Sequence, residues 1–349
     1  MKKDWMIKES ELDENQRSVL NAVVDKSCIV SGCAGSGKSI LALVKAQRIQ
    51  KERGNDYQIV VFTKALCRYM NSGRKQLGLN KTFTYHWDWK NRLHCPKSDY
   101  IIVDEIQDFT TDEIREFIQA TRKQFFFYGD TAQSIYEELK DTIGVDDIRF
   151  SINEARNAKY WELYNNYRLP VPVARLSQHI GVDLPPFVAS TYKSPEKEVP
   201  HIIEYDSCIE QLEAIHRIIE DQNLTDVAIL LPHNNNVLFA YNHLHNMGGN
   251  YELRYKDNED YRQSQDTLNF DSNNPKIMTY HSAKGLQFET VFLPFLEDYE
   301  EEQRKALYVA VTRTYKNLYL MWSDYEPDFL SDIPNDLYIT EETTTIDDI

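Results

Sequence analysis

Apolar residues along this chain gather into short β-branched or aromatic runs, separated by longer stretches of helical periodicity. The early runs, residues 27–30, 58–62, 100–103 and 124–128, read as strands. Residues 38–51, 64–77 and 112–121 between them read as helices. Near-continuous apolar strands alternating with helices predict a mainly parallel sheet covered on both faces. The alternation resumes with strands at 201–205, 227–231, 276–280, 291–294 and 318–322, and helices at 209–221, 236–247 and 301–315. The polar stretch 257–274 reads as a surface loop. Two α/β domains are expected, over 1–150 and 151–323, followed by an acidic tail over 324–349.

The length of 349 residues suits two domains that each bury a core. The net charge of -16 argues against a uniformly basic nucleic-acid binder, but the tail over 324–349 holds nine acids and no Lys or Arg. Over half of the imbalance therefore sits there, which leaves room for a local basic groove elsewhere. The tail reads as disorder, with shielding of a nucleic-acid groove as the alternative. Five scattered cysteines without a CxxC pair predict reduced thiols in a cytosolic protein, not a zinc site. No stretch has the apolar length of a membrane span, and residues 1–8 lack the apolar core of a signal peptide.

Gly32-Cys33-Ala34-Gly35-Ser36-Gly37-Lys38-Ser39 fits G-x-x-x-x-G-K-[ST], after an apolar strand and at the head of a helix. Glycines let the backbone turn so that several N–H groups meet one oxyanion, and the helix N-terminus adds partial positive charge. Lys38 is expected to reach the β- and γ-phosphates of ATP, and Ser39 to ligate Mg²⁺. The strand ending in Val103 runs into Asp104 and Glu105. Asp104 then becomes the second Mg²⁺ residue and Glu105 the general base for the attacking water. By itself this Asp-Glu pair reads first as a solvated acidic helix cap, and it is the phosphate loop that turns the reading toward a metal and a base.

Asp104-Glu105-Ile106-Gln107-Asp108 resembles motif II of superfamily 1 helicases of the UvrD/Rep/PcrA type, and further matches follow in that family's order. Glu14-Asn15-Gln16 resembles the Q-motif, which implies that Gln16 reads adenine. Val61-Phe62-Thr63-Lys64-Ala65 resembles motif Ia and Thr84-Tyr85-His86 motif Ib, which line the single-strand track. Residues 129–136, Gly-Asp-Thr-Ala-Gln-Ser-Ile-Tyr, resemble motif III, so that Gln133 senses the γ-phosphate and Tyr136 lies toward the strand. Asn166-Tyr167-Arg168 resembles motif IV, which implies that Tyr167 stacks on adenine and Arg168 meets the γ-phosphate. Residues 279–289, with His281 and Gln287, resemble motif V, and residues 308–313 resemble motif VI, whose Arg313 is the second arginine finger.

The resemblance implies two RecA-like P-loop domains with ATP in the cleft between them, and single-stranded DNA, less readily RNA, as partner. Three departures stand out. Gln287 replaces the usual ribose-contacting acid, and Tyr136 runs into Glu137-Glu138-Leu139 where a base-stacking tryptophan is usual. Segments between motifs are too short for large accessory subdomains. Trp87, Trp89, Tyr85 or Phe62 could supply the missing stacking platform. The expectation is an ATPase that moves on or remodels nucleic acid but unwinds duplex poorly alone. The alternative is a nucleotide-gated sensor acting on a protein effector such as a nuclease, in repair or defence.

Overall fold

The computed structural model describes residues 12–131, 141–182, 184, 186–257 and 260–341. The chain forms two compact units, one running to Tyr167 and the other starting at Arg168.

In the first unit the elements run α1 (Glu14–Asn21), β1 (Cys28–Gly32), α2 (Lys38–Arg53), β2 (Tyr57–Val61), α3 (Lys64–Arg74) and β3 (Phe83–Tyr85). They continue through α4 (His86–Asn91), β4 (Ser98–Val103), α5 (Thr111–Ala120), β5 (Thr121–Gly129), α6 (Ile148–Ser151) and β6 (Lys159–Leu163). The strands form one parallel sheet in the order β3-β2-β4-β5-β1-β6. Apolar side chains on the central strands, including Ile29, Val60, Ile101, Val103 and Phe127, pack against Trp89, Phe109, Ile114 and Phe117. Capping holds the helices in register with this sheet. Thr110 and Glu113 form a capping box on α5, and the Thr63 hydroxyl accepts from the Leu66 N–H at the start of α3. Because the strands are parallel, the residues that follow β1, β4 and β5 emerge at one end of the sheet, where ligands bind in open α/β folds.

The second unit contains α7 (Val171–Ser177), β7 (His201–Tyr205), α8 (Cys208–Asp221), β8 (Val227–Leu231), α9 (Asn234–Asn246), β9 (Glu252–Tyr255) and β10 (Gln265–Asp266). After these come β11 (Lys276–Thr279), β12 (Phe288–Leu293), α10 (Arg304–Val311) and β13 (Thr314–Ser323). Its sheet order is β10-β9-β11-β8-β12-β13-β7, parallel except for the antiparallel β10 edge. Ile203, Leu212, Ile215, Ile229, Leu231, Ile277, Phe292 and Met321 belong to its core.

Several expectations need correction. The boundary lies at Tyr167, later than residue 150, because β6 adds to the first sheet beside β1 with Cys28 opposite Lys159 and Gly32 opposite Leu163. Over residues 324–341 the acidic tail is folded, and its remaining residues lie outside the described ones. Phe329, Leu330, Ile333 and Leu337 are buried, and Ile339 bridges the β7 edge, accepting from the Ile202 N–H at 2.9 Å. Interspersed apolar residues thus outweigh the tail's charge. The stretch 257–274, read as loop, includes the short β10 strand. The helix expected over 301–315 stops at Val311, since Thr314 already starts β13.

Candidate nucleotide-binding site

The glycine-rich turn joins β1 to α2. Gly35 (φ 70°) and Gly37 (φ 86°) occupy the left-handed region, which lets the turn close immediately before α2. Gly37 stands at the helix N-cap without a side-chain cap, so the first N–H groups of α2 are left for an anion. Space is tight as well: a β-carbon at Gly32 would lie 2.6 Å from Ser36 Oγ, and one at Gly37 2.9 Å from Gln16 Nε2. Cys33 is half-buried and Ala34 buried. The Lys38 ammonium folds back across the turn and donates to the carbonyls of Gly32 (2.7 Å) and Cys33 (2.9 Å). It also lies 3.7 Å from Asp130 Oδ2, at the end of β5.

Asp104 follows β4 and is buried. Its carboxyl is pushed up to about 7, first by burial and then by the neighbouring Glu105 charge, against the nearby Ser39 hydroxyl and the charge of Lys38. Asp104 Oδ1 accepts from the Glu105 N–H at 3.1 Å, whereas Oδ2 is buried without a hydrogen-bond partner. A buried carboxylate oxygen lacking a donor, with a hydroxyl alongside, fits a divalent cation. Among the described residues no group of three or more His, Cys, Asp or Glu side chains could hold a metal. Mg²⁺ bound by Ser39 and Asp104 would therefore complete its shell with phosphate oxygens and water, its ordinary habit.

Glu105 adopts φ 58°, ψ 44°, a left-handed conformation that costs a non-glycine residue energy and concentrates at functional sites. Gln107 Nε2 donates to Glu105 Oε2, while Gln107 Oε1 accepts from the Asp130 N–H at 3.0 Å. One amide thus ties the ends of β4 and β5 together, and Asp130 continues the linkage to Lys38.

Gln16 lies on α1. Its N–H donates to Asp13 Oδ1 at 2.6 Å and its Oε1 accepts from the Asp13 N–H at 3.0 Å, a reciprocal capping box. Its Nε2 donates to the Ser36 carbonyl at 2.9 Å, which joins α1 to the phosphate turn. Tyr167, at the end of the first unit, donates its hydroxyl to Asp13 Oδ2 at 2.6 Å and its N–H to the Gly35 carbonyl at 2.9 Å. Burial and the Asp13 hydrogen bond push the Tyr167 phenol up to about 12. Burial also acts to raise the Asp13 carboxyl, but donors from Gln16, Tyr167 and Asn165 prevail and hold it below the usual range.

The residues matched to motifs Ia and Ib lie at the ends of β2 and β3 and just beyond them. Thr63 caps α3, Thr84 pairs with Val60, and Tyr85 has the Lys64 ammonium 5.7 Å from its ring centre. Phe62 packs edge-on against Phe109 at 5.1 Å. His86 is buried against Phe109 (4.8 Å) and Phe117 (5.6 Å), with Glu113 at 3.9 Å. Of the two tryptophans, Trp89 is a core residue whose indole N–H donates to Gln58 at 2.7 Å. Trp87 is 50% exposed, with the Arg92 guanidinium 5.6 Å from its ring centre. Gln133 and Tyr136 lie outside the described residues.

In the second unit Arg168 precedes α7, and Gln287 is half-buried immediately before β12. His281 follows β11, and burial together with the Lys284 charge lowers its imidazole pKa. Arg313 is fully buried and oriented by its own unit. It donates to the carbonyls of Val309 (2.8 Å) and Leu286 (3.4 Å) and to Thr312 Oγ1 (3.0 Å). Sequence reasoning missed Asp13 and Asn165, for which the only signal was the D-x-x-Q cap pattern around Gln16.

Residues 15–138 match the family model of an AAA domain, and residues 276–321 that of the UvrD-like helicase C-terminal domain. A probable DNA helicase II homolog of Rickettsia conorii is 35% identical over 89 residues, covering 18% of this chain and 14% of that protein. DNA helicase II of Rickettsia typhi is 36% identical over 89 residues with the same shares covered. The chain thus spans about 14% of the length of these curated relatives. Among solved structures, a Pif1 helicase described at forked double-stranded DNA aligns over 93% of this chain and 94% of its own at 13% identity and a TM-score of 0.49. The Arterivirus nonstructural protein 10 helicase, solved with DNA, aligns over 91% of this chain and 64% of its own at 16% identity and a TM-score of 0.44. One family model falls in each unit, on the stretches that hold motif II in the first and motifs V and VI in the second, and the second of these models is that of the UvrD-like helicases, which this chain resembles.

Proposed function

We propose that the protein hydrolyses Mg²⁺-bound ATP and couples the cycle to movement on, remodelling of or limited unwinding of single-stranded nucleic acid, DNA in preference to RNA. One observation carries the reading: Lys38, Asp130, Gln107 and Glu105 form a continuous line of contacts beside the unpartnered oxygen of Asp104. Lys38 exchanges the carbonyls of Gly32 and Cys33 for phosphate oxygens. Ser39 and Asp104 would hold Mg²⁺, which would supply positive charge to the phosphates when bound. Glu105, oriented by Gln107, takes a proton from the attacking water. Gln16 and Tyr167 receive the adenine, and Gln287 the ribose.

Arg168 and Arg313 are the guanidinium groups assigned to the γ-phosphate, where such charges accelerate transfer by roughly 10³ to 10⁵ in known cases. Gln133 reports on that phosphate. Thr63, Thr84 and Tyr85, with Phe62, His86, Tyr136 and His281, are assigned to the nucleic acid. The test is steady-state ATPase activity with and without single-stranded DNA across a salt series. Stimulation that fades as salt rises supports the proposal. Turnover indifferent to DNA at every salt concentration would sink the coupling to nucleic acid.

A further inference from the structure

A helix N-cap needs one acceptor oxygen, and Asp13 has two in use. Oδ1 takes the Gln16 N–H, as any Asp or Asn cap would. Oδ2 takes two donors from far along the chain, the Tyr167 hydroxyl at 2.6 Å and Asn165 Nδ2 at 2.9 Å. Only a carboxylate accepts at both oxygens, because an asparagine presents an N–H₂ group in place of one of them. Asp13 therefore joins the start of α1 to the last residues of the first unit, while Tyr167 and Gln16 are each bonded to the phosphate turn, at Gly35 and Ser36.

We infer that Asp13 is a positioning residue for the nucleotide base: its carboxylate fixes the tyrosine that covers the base and the helix cap that directs the Gln16 amide. The inference rests on the proposed ATP reading. Gln16 Oε1 accepts from the Asp13 N–H and its Nε2 donates to Ser36, so the orientation of the amide is set. An amide carries two lone pairs on oxygen and two N–H groups. A second acceptor and a second donor are suited to the N6 amine and N7 of adenine, whereas guanine presents an acceptor at position 6 and meets the amide oxygen unfavourably. Holding the amide and the phenol in one arrangement converts this pattern into preference for adenine.

Asp13→Asn is the discriminating variant, since it keeps an Asn cap and removes the acceptor at Tyr167. The expected result is an apparent KM for ATP raised about tenfold with kcat little changed, since the Tyr167 hydroxyl, together with Asn165, loses its carboxylate acceptor. Binding of a fluorescent adenosine diphosphate should weaken by a similar factor, and the ratio of ATP to GTP affinity should fall. Tyr167→Phe, which keeps the ring and removes the hydroxyl, should reproduce the effect, and the double variant should add little to either. Asp13→Asn with wild-type KM and wild-type base preference overturns the inference, as does a lowered melting temperature with unchanged nucleotide affinity. A wild-type protein that shows no preference for adenine overturns the proposed nucleotide reading instead.

Discussion

A β-carbon on Gly129 would lie 2.6 Å from Oε1 of Gln107. It would also meet Ile106 Cγ2 at 2.7 Å and Val145 Cγ2 at 2.8 Å. The missing side chain at the end of β5 is what allows the Gln107 amide to bridge Glu105 and the Asp130 N–H. Gly129→Ala should displace that amide and free the proposed base from its orientation. The hypothesis predicts a fall in single-turnover hydrolysis of roughly tenfold or more, with nucleotide binding retained and about 1–3 kcal/mol lost from stability by overpacking. Hydrolysis at the wild-type rate would remove Gln107 from the mechanism.

Lys38 and Glu105 separate binding from chemistry. Lys38→Ala deletes the ammonium that would meet the phosphates, and turnover should disappear together with tight nucleotide binding. Glu105→Gln keeps the shape of the side chain but cannot take a proton, so it should bind ATP normally and hydrolyse it roughly 10² to 10⁴ times more slowly. Equilibrium binding measured beside single-turnover kinetics distinguishes the two. Normal hydrolysis by Glu105→Gln would assign the base elsewhere.

Trp87 and Trp89 are two residues apart and face opposite fates. Trp89 is fully buried among Phe117 and His86, so Trp89→Ala should cost about 3–5 kcal/mol of stability. Trp87 is half exposed beside the motif Ib residues, and its truncation should leave the melting temperature nearly unchanged. If Trp87 supplies the stacking platform that motif III lacks, Trp87→Ala should weaken single-stranded DNA binding by about 1–3 kcal/mol. Unaltered affinity in fluorescence anisotropy would leave Trp87 a surface residue.

The phosphate turn was readable because its chemistry is local: residues 32–39 are consecutive, and their flanks state both strand and helix. Asp104 and Glu105 were readable for the same reason, at the end of an apolar run. The contacts that organise those residues were not. Gln107 reaches Asp130 and Asp13 reaches Tyr167 only after the parallel sheet has formed, and nothing in either local segment announces the partner. Edge strands were equally silent. β6 reads Lys-Tyr-Trp-Glu-Leu, with charged positions where an interior strand would be apolar, and its omission moved the expected domain boundary. In the tail, net acidity masked Phe329, Leu330, Ile333 and Leu337, whose burial needs no charge balance.

Lys45 yields a prediction in pH. It is fully buried on α2, and its ammonium donates to the carbonyls of Ala22 (2.8 Å), Val19 (3.3 Å) and Leu20 (3.4 Å) around the C-terminal end of α1. A cation there complements the helix dipole and secures the helix that bears Gln16. Burial nevertheless lowers the Lys45 pKa to about 8, from 10.5 for an ordinary lysine. Between those values the unfolded chain binds the proton and the folded chain does not, so stability rises with pH across the window. The contribution is fully present above 10.5 and is lost as pH falls through about 8. Lys45→Met lacks the titrating group. The stability difference between wild type and Lys45→Met should therefore shift in favour of wild type from pH 8 to 10, by about 2–3 kcal/mol at 1.36 kcal/mol per unit. Urea titrations of both proteins at pH 7, 8, 9 and 10 measure it. A difference that stays flat across the series would mean that Lys45 remains charged in the folded protein, with the α1 carbonyls compensating its burial in full.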